Sequence, residues 1–169
     1  MVYKIFEFLH KIHPAKEVHA HCDIPCGIYD PTPAQIAAHT VVRMTSLLDE
    51  LKASSAEPPF EERKKIISQV SRLTKIKEEH AELIKHEIRI IWGDYFKEEH
   101  LKDYPDLHGK VFKIMKLASS AKQNIDLGAA NELLAAVQEF AEIFYKTKKL
   151  EPVRIPSGYP TGGEIAFHK

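Results

Sequence analysis

The chain has 169 residues with 24 basic and 24 acidic side chains, ten histidines and two cysteines, so its formal charge is zero. That length suits one domain, which can bury roughly 70% of its unfolded surface without disulfides. A neutral chain lacks the cationic excess that nucleic-acid binding needs, and no uncharged apolar run approaches the ~18 residues of a membrane span, so neither partner is expected.

Residues 1–20 read as a leader. Their apolar stretch, 5–12, is interrupted by Glu7 and Lys11. A secretory signal needs an unbroken apolar core of about 7–15 residues, so a cytoplasmic location is expected. Val18 and Ala20 stand three and one positions before His21, a small-residue pattern that a signal-peptidase-like protease accepts. A frayed N-terminus is the competing reading.

The pattern turns helical at Pro33, which suits a first helical turn. Ile36, Thr40, Met44, Leu47 and Leu51 recur at helical spacing and predict the inward stripe. Residues 54–59 break this helix. A long helix follows from about Glu61 to Trp92, striped by Ile66, Val70, Leu73, Ile76, Leu83, Ile84, Ile88 and Ile91, with its exit at Gly93 and Asp94. A third helix starts at Asp103-Tyr104-Pro105 and a fourth spans about Ala129 to Lys148. No useful length alternates with period two, so strands are not expected. Four amphipathic helices with short connectors predict an all-α fold, an antiparallel up-down four-helix bundle. Residues 150–169 hold three Pro and three Gly and read as an arm or disordered tail.

The chemistry concentrates in His21-Cys22-Asp23-Ile24-Pro25-Cys26-Gly27-Ile28-Tyr29. Pro25 forbids a regular helix there and Gly27 admits a left-handed turn, so the segment should be a hook that brings two sulfurs together. Several chemistries compete for it. A disulfide does not persist in a reducing cytosol. A structural zinc site wants four ligands, usually in two separated pairs. A thiol redox pair prefers Cys-x-x-Cys. A metal site stands beside these. If the chain is cut after Ala20, the His21 amine and the Cys22 backbone nitrogen would close one five-membered chelate ring. That nitrogen and the Cys22 thiolate would close a second, and the Cys26 thiolate would complete a planar set, with the His21 imidazole within reach of an axial position. Planar nitrogen–sulfur donation suits nickel(II) or copper(II), and copper(II) tends to oxidise thiolates.

These residues resemble the nickel superoxide dismutases in His21-Cys22-Asp23-x-Pro25-Cys26-Gly27-x-Tyr29 and on through Asp30-Pro31. The resemblance returns at Ala81-Glu82-Leu83, Lys85-His86, Trp92-x-Asp94-Tyr95-Phe96-Lys97, Tyr104-Pro105-x-Leu107-His108 and Thr147-Lys148-Lys149, and so spans about residues 21–149. It implies a precursor cut between Ala20 and His21 by a processing protease, leaving a hook and bundle (21–149) and a C-terminal tail (150–169). It implies a nickel ion bound by His21, Cys22 and Cys26, and superoxide as substrate. Tyr29 and Tyr95 are expected to flank the vacant axial side, ordering water and restricting access. Asp23 is expected to brace the hook and Lys97 to attract the anion. A homohexamer is implied, each hook held by its neighbour.

Two positions depart from the family pattern. An acidic residue early in the first helix and an arginine on the second usually support the axial imidazole. The matching positions here are Ala37 and His80, with His39 a possible substitute. Alanine cannot hydrogen-bond the ring, and histidine does not supply arginine's permanent charge. The alternative functions are a nickel carrier or sensor on a helical bundle, and a helical interaction protein whose cysteines are incidental.

Overall fold

The computed structural model describes residues 27–169, so the leader and the readings on His21, Cys22, Asp23 and Cys26 lie outside the described residues. Asp30 Oδ1 accepts the Thr32 N–H at 2.8 Å and starts α1 (Thr32–Asp49), whose Pro33 needs no hydrogen bond at this position. Helix α2 (Phe60–Ile90) opens with Glu61 and Glu62 at the positive end of its dipole. It leaves through one π-helical turn (Ile91–Tyr95), closed by the Phe96 N–H on the Ile91 carbonyl at 3.2 Å. A short α3 (Glu98–Asp103) follows, then α4 (Leu107–Gln123) and α5 (Leu127–Thr147), the last capped by Asp126 on the Ala129 N–H. The four long helices fall within a few residues of their expected bounds, although Val70 and Leu83 of the expected α2 stripe are exposed. The π turn and α3 were not expected.

Helix α1 packs on α2 and α5, and α4 packs on the same two. The core between them is built from Val41, Ile84, Ile88, Ile114, Leu133, Val137, Phe140 and Phe144. The predicted stripe of α1 is out of phase with this core. Its buried face is Ala34, Ala37, Ala38, Val41, Val42, Thr45 and Leu48, whereas Ile36 is 45% exposed. Small side chains carry the inner face because they let the helices approach closely. The larger Ile36, Thr40 and Met44 serve a different contact.

That contact comes from the C-terminus. Residues 150–169 form an antiparallel hairpin, not a disordered tail, and strands are present after all. β1 (Pro152–Pro156) pairs with β2 (Glu164–His168), Arg154 opposite Ala166. Its tip (Tyr159, Pro160, Thr161) meets Ile36, Thr40 and Met44 across a groove of about 200 Å³. The strands are too short for alternation to stand out among the prolines and glycines.

A two-stranded sheet leaves polar groups along its open edges. On β2 they are paired by helix side chains. Gln35 Nε2 donates to the Ala166 carbonyl at 2.9 Å and Gln35 Oε1 accepts the Ala166 N–H at 2.8 Å. The Glu164 carbonyl accepts from His39 Nε2 on α1 at 3.0 Å and from Gln138 Nε2 on α5 at 2.5 Å. One backbone oxygen thus ties two helices together. Arg154 of β1 adds donations to Gln138 and Glu142.

Lys77 of α2 is 1% exposed and its ammonium donates to the Lys122 and Asn124 carbonyls at the end of α4, where a cation is favoured. Burial holds its pKa below the usual lysine value, with Glu78 pulling weakly the other way. The folded protein therefore binds fewer protons than the unfolded chain between that lowered pKa and the ordinary one, so stability rises with pH across this window. In urea unfolding, Lys77→Ala is expected to cost roughly 2–5 kcal/mol through the cavity it leaves, and Lys77→Met less. Wild type should gain on Lys77→Met as pH rises towards the ordinary lysine value.

Candidate metal centre

The described chain begins at Gly27, immediately after Cys26, with a φ of 72°. This is a left-handed conformation of the kind Gly27 was expected to admit. A Cβ at this position would meet nothing within 4 Å, so the demand for glycine is conformational rather than steric. From there Ile28 and Tyr29 lead to Asp30 and the start of α1.

Tyr29 reaches Tyr95, the last residue of the π turn, with ring centroids 5.7 Å apart. The structure thus brings together two of the expected site residues from separate motifs of the resemblance. Tyr95 is held on several sides. Phe144 lies at 4.7 Å, Phe96 packs edge-on at 5.2 Å, and His100 stacks at 5.6 Å. The Tyr95 hydroxyl is 2.9 Å from Thr147 Oγ1, which donates its own proton to the Phe144 carbonyl at 2.7 Å. With that proton spent, Tyr95 is the donor, and its oxygen keeps lone pairs for water.

One lysine ammonium lies at the same place. Lys148 Nζ lies 5.5 Å from the Tyr95 ring and 4.6 Å from that of Phe144, within cation–π range. Lys97 is exposed, and its backbone N–H donates to His100 Nδ1 at the start of α3. Thr147 and Lys148 belong to the resemblance, but nothing in their spacing assigned them to Tyr95. His100 had no signal at all.

The two histidines considered as supports separate clearly. His39 is committed to the hairpin: Nε2 donates to the Glu164 carbonyl, and Nδ1 is 2.9 Å from Thr161 Oγ1. Both ring nitrogens are used, so it does not replace the missing acidic support. Ala37 is buried in the core and offers nothing polar. His80 donates from Nδ1 to the Ile76 carbonyl of its own helix at 2.8 Å, which leaves Nε2 of the neutral ring as an acceptor. Among the described residues no group of three or more His, Cys, Asp or Glu is placed to hold a metal ion.

Around the root of the hook, Tyr145 of α5 sits between α1 and β2. Its ring lies 5.1 Å from His168 and 6.2 Å from Phe167. Its hydroxyl and that of Thr32 are both buried without completing a hydrogen bond. Burial pushes the Tyr145 phenol up; the Thr32 hydroxyl opposes this, and the Asp30 carboxylate adds to it.

The family model for nickel-containing superoxide dismutase matches residues 16–148. The nickel superoxide dismutases of Streptomyces coelicolor and Streptomyces seoulensis are each 38% identical over 136 residues, covering 80% of this chain and 94% of theirs. A native nickel superoxide dismutase structure superposes with a TM-score of 0.63 at 35% identity, covering 76% of this chain and 99% of its own. The structure with nickel ligation of the oxidised state gives 0.64 at 35%. The hairpin lies beyond the family match.

Two outcomes test this geometry without reference to activity. Gly27→Ala should be destabilising by about 1 kcal/mol in denaturant unfolding, since an L-residue resists the left-handed turn. A double-mutant cycle on Tyr95→Phe and Thr147→Val should return a coupling near 1 kcal/mol.

Proposed function

The chain belongs to the nickel-containing superoxide dismutase family, and on that premise we propose that its nickel is held by His21, Cys22 and Cys26 after cleavage between Ala20 and His21. The enzyme disproportionates superoxide to dioxygen and hydrogen peroxide. When bound, nickel would supply a Ni(II)/Ni(III) couple for the one-electron oxidation of one superoxide and the one-electron reduction of a second. The donors fit this ion: two thiolates, a backbone nitrogen and a terminal amine would hold it and favour its higher oxidation state.

The observation that carries the assignment is the Tyr29–Tyr95 pair standing directly after the left-handed Gly27. In the role we assign them, the two rings narrow the approach to the hook. The Tyr95 oxygen, its proton given to Thr147, accepts from an ordered water that can pass a proton to the product. Restricted access protects the thiolates from direct oxidation. Lys97 and Lys148 draw the anion inward.

An imidazole bound to a metal through one nitrogen carries its proton on the other and needs an acceptor. We assign that acceptor to His80 Nε2, whose lone pair is freed by the Nδ1 donation to Ile76. Arginine cannot accept, so this arrangement is not the family's usual one. Asp23 braces the hook. The finer architecture we propose is an up-down four-helix bundle carrying the hook, with a leader at 1–20, assembled as a homohexamer in the cytoplasm.

Cys26→Ser is expected to lose nickel, measured by elemental analysis. Adding one residue before His21 in the processed protein should abolish dismutation, because the amine then leaves the chelate ring; full activity in that form would overturn the ligand set. His80→Leu should keep its nickel and shift the spectroscopic signature of the oxidised state. Replacing Lys97 and Lys148 together by Gln should slow the second-order rate on the order of two- to tenfold and flatten its salt dependence.

A further inference from the structure

The hairpin has no place in the resemblance, yet its bonds converge on the helix that carries the hook. We propose that the C-terminal hairpin is a positioning clamp: by pairing with Gln35 and His39 it fixes the start of α1, and with it the root of the hook. This inference rests on the ligand set assigned above.

The pairing is suited to the task. Gln35 lies one turn into α1, and its amide meets both polar groups of Ala166. Two antiparallel hydrogen bonds to one residue set the rotation of the helix as well as its distance, which a single bond or an apolar contact does not. Both partners are fully buried, so breaking the pair would leave polar groups without water. One turn further on, His39 makes the second attachment at Glu164. The Glu164 carbonyl also receives Gln138, so α5 holds the strand that holds α1.

The clamp acts close to the hook. At a rise of about 1.5 Å per residue, Gln35 stands roughly 5 Å along the axis from Thr32, where the helix begins. Asp30 caps that turn and Tyr29 precedes it. Tyr145 joins the same junction, with Phe167 and His168 on one side and Thr32 and Asp30 on the other. A shift of α1 against α5 would therefore carry Tyr29 away from Tyr95, whose own position α5 sets through Phe144 and Thr147.

The test uses the processed chain with and without nickel. Gln35→Leu keeps most of the side-chain volume and removes both bonds; a second variant ends the chain after Leu150. Each should retain the helical circular dichroism signal. Transfer of nickel to excess EDTA should accelerate tenfold or more. In the nickel-free protein the amides of residues 29–35 should exchange faster by a similar factor. Arg154→Ala, which weakens the hold of β1 on α5 without touching α1, should give a smaller effect of two- to fivefold, and it serves if the truncated chain does not fold. Nickel release and amide exchange both within twofold of wild type in Gln35→Leu and Arg154→Ala would overturn the clamp. Because amide exchange is read without metal, it judges the clamp even if Cys26→Ser keeps its nickel and the ligand set fails.

Discussion

Helix α2 gives up regular bonding at Ile91 and closes instead from the Phe96 N–H to the Ile91 carbonyl, and this extra residue in the turn decides where Tyr95 points. π turns of this kind cost regular hydrogen bonding and tend to occur where a side chain must be re-aimed. Here the ring of Tyr95 is delivered onto Phe144 of α5 and is boxed in by Phe96 and His100. The same widening ends α2, and α3 follows with His100 stacked on that ring. Tyr29 packs against a ring that is already fixed.

The donors and the frame obey different constraints. Six residues supply all the proposed nickel donors, and a segment that contains Pro25 and Gly27 cannot brace itself as a helix or strand. After it, Tyr29 meets the Tyr95 ring, which adds no competing ligand because the Tyr95 hydroxyl is turned towards Thr147. Lys148 over the same rings brings positive charge, and among the described residues it makes no ion pair that would neutralise it for an incoming anion.

How much of this was legible in the sequence depended on the range of the signal. The long helices carry 3.6-residue periodicity, and the hook carries its chemistry in spacing, so both could be read along the chain. The phase of α1 could not. Alanines at 34, 37 and 38 look weakly apolar beside Ile36 and Met44, yet close helix approach makes them the inner face. The larger residues answer to a hairpin more than a hundred positions away. Lys77 reads as surface until α4 brings the Lys122 and Asn124 carbonyls to it. His39 looked like a candidate support for the axial ring because its partners, Thr161 and Glu164, are equally remote.

The loss of the family's acidic support and the gain of the hairpin bear on the same helix. A carboxylate early in α1 would tie that helix to the axial imidazole directly, while Ala37 makes no such bond and faces the core. What then registers α1 against the rest is the polar pairing on its other side, through Gln35 and His39 to the edge of β2. Those bonds are buried and reach α5 through a shared carbonyl, so they resist rotation of α1 in a way its small-residue inner face does not. In the proposed clamp, support for the hook comes from behind the helix that follows it. In the proposed assignment the His21 imidazole would be met by His80, whose Nε2 would accept but carries no fixed charge.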